Sequence, residues 1–445
     1  ATWTASDARR PGAPRAPCAP VPLAAPGPAG AAMSIAQHTG QAAMQPVESY
    51  LDEVLAAIRP LPPRELRLDE AVGAVLAEDV TAAWALPPFD NSGMDGYAVL
   101  AADVAAATPE RPVTLPVRGE VPAGDTRAHH LDQGTCLRIM TGAPVPSGAD
   151  AIVPVEWTDG GSAHVTISRA PEPGNSIRRA GGDAVPGDVL LTAGTRVGPV
   201  QIGLLAAAGR GTVTARPSPR ITVMSTGDEL IEPGQPVRPG QIWESNSRML
   251  AAAAQQAGYP ARRHAIAPDD KAAVLAAIEE ALADTDLLVT TGGVSMGGEH
   301  DIIKAALQDL GTVSFRKIAM QPGMPQGFGV VGRAGTPIFT LPGNPVSAYV
   351  SFQLFVRPAA SALQSFGPER LAATSAELAG PVRSPSGRRS YLRAVLDSAA
   401  GTVAPVSGQS SHQLASLARA DALIVVPESV TELPGGATVE VLMLP

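Results

Sequence analysis

Two strand–loop–helix segments do most to constrain what this chain can fold into. The first is Asp286-Leu287-Leu288-Val289-Thr290-Thr291-Gly292-Gly293-Val294-Ser295-Met296-Gly297-Gly298-Glu299-His300-Asp301, and the second is Thr340-Leu341-Pro342-Gly343-Asn344-Pro345-Val346-Ser347-Ala348. In each, an apolar run of buried-strand length breaks into small residues and then opens a helix. Amides freed in such a loop, together with a helix N-terminus, form an anion site. The chain is therefore expected to hold a phosphate-like ligand on an α/β unit.

The surrounding pattern agrees. Strands are expected at Ile221–Ser225, Arg262–Ile266, Leu287–Thr291, Val313–Ile318 and Ile338–Leu341, with helices at Ser247–Ala257, Asp269–Leu282 and Ile302–Leu310. Such alternation predicts a mostly parallel sheet covered on both faces, with ligands at the carboxyl ends of the strands. A chain of 445 residues is too long for one core. Residues 1–44 read as a disordered Pro/Ala-rich leader. Residues 45–88 and 183–217 read as one discontinuous helical linker unit, with helices from Val47 and over Leu68–Leu76. Short β runs cut by Pro and Gly fill 89–182, an inserted β unit. The α/β unit occupies 218–360, and a β-rich unit, expected as a barrel, closes the chain at 361–445.

Bulk properties exclude several classes. A net charge of −9 without a basic stripe argues against a nucleic-acid partner. Cys18 and Cys136 are far apart, so a disulfide framework or cysteine zinc site is not expected, and a reducing compartment, the cytoplasm, fits. No apolar stretch approaches the roughly 20 residues a membrane span needs.

Chemistry-bearing residues cluster at the loops of the α/β unit. Thr226-Gly227-Asp228-Glu229 follows the first strand, Asp269 opens a helix, and Asp301 follows the Gly-rich loop. Asp269 and Asp301 could each be a helix N-cap worth about 1 kcal/mol. Several carboxylates around one phosphate loop are also what Mg²⁺ would bridge, with Glu229, Asp269 and Asp301 as its ligands. Arg316-Lys317 supplies positive charge, although neighbours on a strand point to opposite faces. In the β unit, Asn91-Ser92-Gly93-Met94-Asp95-Gly96-Tyr97-Ala98-Val99, Arg138-Ile139-Met140-Thr141-Gly142-Ala143-Pro144 and Asn175-Ser176-Ile177-Arg178-Arg179-Ala180-Gly181-Gly182-Asp183 are each compatible with simple turn chemistry.

Taken together and in order, NSGMDGYAV, RIMTGAPVP, STGDEL, TTGGVSMG and LPGNPVSA resemble the molybdopterin molybdenumtransferases, the MoeA and gephyrin E-domain family, from about residue 45 onward. The resemblance implies a homodimer with a cleft between the α/β unit of one subunit and the β unit of the other. It implies insertion of molybdenum from molybdate into adenylylated molybdopterin, with Mg²⁺ assisting and AMP released. Carried over by motif, Asp95, Thr141, Arg178 and Asp183 belong to the partner side of that cleft. Glu229, Asp269, Asp301, Lys317, Pro342 and Pro345 line the α/β side, where the amides of Gly292, Gly293 and Ser295 are expected to hold phosphate. Arg393 and Ser411 are expected ligand contacts. Molybdopterin adenylyltransferase and molybdoenzymes are expected transient partners. Gln321 and Met324 stand where many relatives carry lysine, so weaker oxyanion attraction is expected, partly offset by Arg316 or Arg179. The rival readings are molybdopterin adenylylation, which needs neither the β insertion nor the last unit, a related amidase or pyrophosphatase using the same α/β domain, and a non-catalytic pterin-binding scaffold.

Overall fold

The computed structural model describes residues 44–293, 302–309 and 312–445. A six-stranded sheet forms the α/β unit. Its strands are β1 (Ile221–Ser225), β2 (Ala261–Arg263), β3 (Leu287–Thr291), β4 (Val313–Lys317), β5 (Pro325–Val331) and β6 (Thr336–Leu341). They lie in the order β2-β1-β3-β6-β5-β4. The pairings among β2, β1, β3 and β6 are parallel, as expected, and every residue of β1 and β3 is buried, as strands covered on both faces require. One face carries Ile221, Val223 and Phe339 against Leu250, Ala254 and Phe352. The other carries Met224, Leu288 and Ile338 against Val274, Ile278 and Leu307.

β5 departs from expectation. No strand is expected between Val313–Ile318 and Ile338–Leu341, yet Pro325–Val331 is a strand antiparallel to both β6 and β4. The glycines serve close packing: a Cβ at Gly327 would lie 2.8 Å from the Phe315 ring and 2.9 Å from Thr340.

The helix Val47–Ala57 buries Val47, Tyr50, Leu51 and Val54, the expected stripe. It packs on the α/β unit rather than on the linker unit expected from its place in the chain. Tyr50 meets Phe355 edge to face with ring centroids 4.9 Å apart. The helix expected over Leu68–Leu76 is instead a 3₁₀ turn, Leu68–Glu70, and a short strand, Val75–Leu76. Val75 and Leu76 pair with Arg216 and Ala215 and are fully buried there, a tertiary gain that overrides weak local helix preference. The helix Pro199–Ala207 forms as expected.

In the inserted unit, Gly96–Val99, Val113–Val121, Cys136–Ile139, Ala151–Pro154 and His164–Ile167 build a five-stranded sheet. In the last unit, Ala373–Leu378, Arg389–Asp397, Thr402–Pro405, Ala422–Val426 and Thr438–Met443 pair in a closed ring, the expected barrel. Met320–Gln321, leaving β4, adds to the edge of its strand Arg389–Asp397 and seams the barrel to the α/β unit. Among the described residues no helix is long and apolar enough to cross a membrane.

Candidate functional site

The parallel register lines up the strand ends. Ser225 stands level with Thr291, and Thr291 with Leu341. One residue further on, the chain leaves the sheet at Thr226, Gly292 and Pro342, and Thr226 bridges to Ala267 on the outer side. At the other edge of the sheet, Lys317 ends β4 opposite Pro325. Thr226 and Lys317 are thus four strand spacings apart, roughly 19 Å. The result is a long shelf with acids at one end and a lysine at the other.

At the acidic end, Asp228 and Asp269 clamp each other through their backbones. The Asp269 N–H donates to Asp228 Oδ1 at 3.0 Å, and the Asp228 N–H to Asp269 Oδ2 at 3.4 Å. The helix Lys271–Leu282 takes its N-cap from Asp270, whose carboxylate accepts from the Ala273 N–H at 2.8 Å. Asp269 is therefore not the cap, an assignment the sequence left open. Glu229 folds its carboxylate back against Gly227, and its carbonyl accepts from the Ile242 N–H at 2.8 Å. Asp228, Glu229 and Asp269 are all exposed. Asp301 and Ser295 lie outside the described residues, and among the described residues no group of three metal-ligating side chains is assembled.

Gly292 stands at the middle of the shelf with φ +93°, and Gly293 follows at +68°. A Cβ on Gly292 would come within 3.1 Å of the Thr226 carbonyl oxygen. The Gly292 amide, expected to hold phosphate, is committed elsewhere. It donates to the Leu341 carbonyl at 3.1 Å, tying the first loop to the second. Gly292 therefore contributes shape rather than a donor. Gly292→Ala is expected to cost about 1–2 kcal/mol from the backbone alone, read as a lower unfolding midpoint.

In the second loop Pro342 is buried and Pro345 begins the helix Pro345–Ser351 at a position that needs no N–H. Asn246 Nδ2 donates to the Gly343 carbonyl at 2.6 Å. Asn344 Nδ2 donates to Ser411 Oγ at 2.9 Å, and the Val346 N–H to the Ser411 carbonyl at 3.1 Å. Ser411 thus docks the barrel onto the turn. Arg393, expected as a ligand contact, is fully buried. Its Nη2 donates to the carbonyls of Gly408 at 2.6 Å and Ser410 at 3.2 Å and so holds the Ser411 loop, while its Nε and Nη1 are buried without a hydrogen-bond partner. Burial pushes its guanidinium pKa down.

Arg316 and Lys317 diverge as neighbours on a strand must. Lys317 is exposed, whereas Arg316 lies 3.7 Å from Glu53 of the first helix. Arg179 is likewise engaged, donating to Asp90 at 2.6 Å. Neither cation is free to offset the missing lysines, as had been expected of them. Gln321 sits in the seam strand, level with Ser390 of the barrel.

In the β unit, the strand Asn91–Ser92 gathers the three motifs. Ser92 exchanges backbone hydrogen bonds with Gly142 and Ala143, and pairs with Ile177, while Asn91 pairs with Arg178. Asp95 Oδ1 accepts from both the N–H and the Oγ of Thr141 at 2.7 Å each. Those two bonds, the amide first, hold the Asp95 carboxyl below its usual range. Arg178 reaches along the same strand, its Nε 3.7 Å from where a Cβ on Gly93 would be. Asp183 is exposed one turn away, anchored by its N–H to the Leu86 carbonyl at 2.8 Å. Among the described residues no hydrogen bond or ion pair joins this group to the shelf of the α/β unit.

Residues 45–209 match the MoeA N-terminal region (domain I and II), 222–362 a probable molybdopterin binding domain, and 375–444 the MoeA C-terminal region (domain IV). The chain is 46% identical over 409 residues to molybdopterin molybdenumtransferase 2 of Mycobacterium tuberculosis, covering 89% of this chain and 99% of that protein. The chain belongs to the molybdopterin molybdenumtransferase family. The enzyme of that name from Bacillus subtilis is 36% identical over 386 residues, covering 85% of this chain and 89% of its own. A crystal structure of a molybdopterin biosynthesis MoeA protein from Pyrococcus horikoshii superposes with a TM-score of 0.71 at 32% identity, covering 90% of this chain and 99% of that one. The matched ranges 45–209 and 222–362 contain the two groups of loops described above.

Two contributors escaped the sequence reading. Glu244 and Asn246, in Glu244-Ser245-Asn246-Ser247 ahead of the helix Asn246–Gln256, hold the shelf loops from below. The signal available was a polar run where an amphipathic helix begins, which reads as ordinary capping.

Proposed function

We propose that this chain is a transferase of molybdenum cofactor biosynthesis that inserts molybdenum from molybdate into adenylylated molybdopterin and releases AMP. The observation that carries this reading is the shelf, with carboxylates at one end, Lys317 at the other and paired glycines between. A long anionic ligand needs that separation. Its pyrophosphate lies toward the carboxylates only if a cation screens them, and a tetrahedral oxyanion is drawn to the lysine. Asp228 and Asp269 each commit one carboxylate oxygen to a backbone amide. Their other oxygens suit Mg²⁺, which is commonly held by one or two carboxylates plus phosphate oxygens. When bound, such an ion supplies charge neutralisation at the link being cleaved.

The chain's own residues orient the ligand. Pro342 and Pro345 fix the second turn, Ser411 clamps it from the barrel, and Lys317 attracts the dianion. Asp95, Thr141, Arg178 and Asp183 form the wall supplied by a second subunit in a homodimer, which accounts for their lack of contact with the shelf of their own chain. A cytoplasmic location completes the reading.

The test is to incubate purified protein with adenylylated molybdopterin, Mg²⁺ and molybdate. Molybdate-dependent AMP release with metallated pterin formed is the expected result. Pterin binding without turnover would transfer the assignment to a scaffold.

A further inference from the structure

Glu244 is 1% exposed, yet it carries a carboxylate under the shelf. Its Oε1 accepts from Ser225 Oγ at 2.8 Å and from the Ser247 N–H at 2.6 Å, and its Oε2 accepts from Ser247 Oγ at 2.7 Å. Arg263 Nη2 approaches Oε2 at 3.4 Å, and Arg263 Nε donates to Ser247 Oγ at 2.8 Å. Ser225 Oγ also lies 2.9 Å from Thr291 Oγ1. Ser225 and Thr291 are the last residues of β1 and β3, immediately below Thr226 and Gly292. The same short segment reaches two more parts of the site. The Ile242 N–H donates to the carbonyl of Glu229, and Asn246 Nδ2 donates to the carbonyl of Gly343. Four strands or loops that must hold one ligand together are therefore referenced to residues 242–247.

We infer that Glu244 is a positioning residue for the ligand: its buried carboxylate fixes the ends of β1 and β3, and so the spacing of the loops they carry. A carboxylate suits the site because the groups that face it donate to it. Ser225 Oγ, the Ser247 N–H, Ser247 Oγ and Arg263 all point at it, and an ionised carboxyl group accepts on both oxygens. A glutamine keeps the shape but turns an NH₂ toward Arg263 and Ser247. The loops then lose their common reference, while the hydrophobic layers on either face of the sheet are untouched. An interaction that holds the bound ligand throughout the reaction appears mainly in KM.

This inference rests on the proposed reaction, and the experiment separates the two. Wild type, Glu244→Gln, Glu244→Asp and Ser225→Ala are compared for KM and kcat of molybdate-dependent AMP release, for equilibrium binding of molybdopterin, and for thermal unfolding. Glu244→Gln is expected to raise KM about tenfold with a smaller change in kcat. Glu244→Asp, which keeps the charge, is expected to recover part of that loss. Ser225→Ala removes a single link of the chain and is expected to shift KM in the same direction by about threefold, which keeps the test open if Glu244→Gln does not fold. An unchanged KM in Glu244→Gln or, where that variant does not fold, in Ser225→Ala overturns the inference, whatever happens to the unfolding temperature. If wild type releases no AMP, the proposed reaction fails instead, and molybdopterin binding to the same variants still decides the role of Glu244.

Discussion

Replacing Asp269 with alanine is expected to lower molybdate-dependent AMP release by roughly 10²–10³-fold while molybdopterin still binds. Neutralising charge at a phosphoryl link is worth several kcal/mol, and each 1.4 kcal/mol is tenfold in rate. Three neighbouring acids separate by this test. Asp228 Oδ1 fixes the Asp269 amide, so Asp228→Asn acts partly through its neighbour and is expected to cost about tenfold. Asp270 caps the helix Lys271–Leu282, so Asp270→Ala is expected to remove about 1 kcal/mol of stability and to leave the rate alone. The readouts are AMP release, quenching of pterin fluorescence and thermal unfolding. A rate in Asp269→Ala equal to that of Asp270→Ala would remove Asp269 from the site.

That separation could not be made from the sequence, where Asp269 and Asp270 stand side by side before one helix and either could cap it. The choice depends on whether Asp228, some 40 positions earlier, comes close, and the parallel pairing of β1 with β2, continued by the Thr226–Ala267 bridge, brings it there. The parallel strands were legible because burial on both faces writes continuous apolar runs such as Leu287-Leu288-Val289. β5 was not, because Gly327, packed against Phe315 and Thr340, and Gly329, packed against the backbone at Thr312 and Val313, look like turn formers. The loops read as an anion site, but pattern does not count hydrogen bonds. The Gly292 amide is already spent on Leu341. Arg393 and Glu244 show the same blind spot, since a charged residue in a strand or before a helix reads as surface until its burial is known.

The second large effect concerns how the units are held together. Glu369, on the segment leading into the barrel, receives Arg196 of the linker unit at 3.1 Å, Arg357 of the α/β unit at 2.6 Å, and the Tyr259 hydroxyl at 3.2 Å. Arg196 also stacks on Phe366, its guanidinium carbon 4.4 Å from the ring centroid. One carboxylate thus ties three units behind the shelf. Burial pushes the Glu369 pKa up, but the bonds from Arg357 and Arg196 outweigh it and leave the net value below the ordinary 4.5. Because the folded pKa is depressed, its contribution is complete above about pH 4.5 and is lost as pH falls through the lower folded value.

Glu369→Gln leaves two partly buried guanidinium groups without their counter-ion. Full burial would make that worth 3–5 kcal/mol; with side chains 15–29% exposed, about 2 kcal/mol is expected. For a chain of this size that lowers the unfolding midpoint by on the order of 2 °C at pH 7. The gap between wild type and variant should begin to narrow below about pH 4.5 and close once pH has fallen through the lower folded value, where wild type also loses the charge. Tyr259→Phe, which removes one neutral donor, is expected to cost less than about 1 kcal/mol and to show no such closing. A gap that persists unchanged into acid would mean that Glu369 acts through packing rather than through its charge.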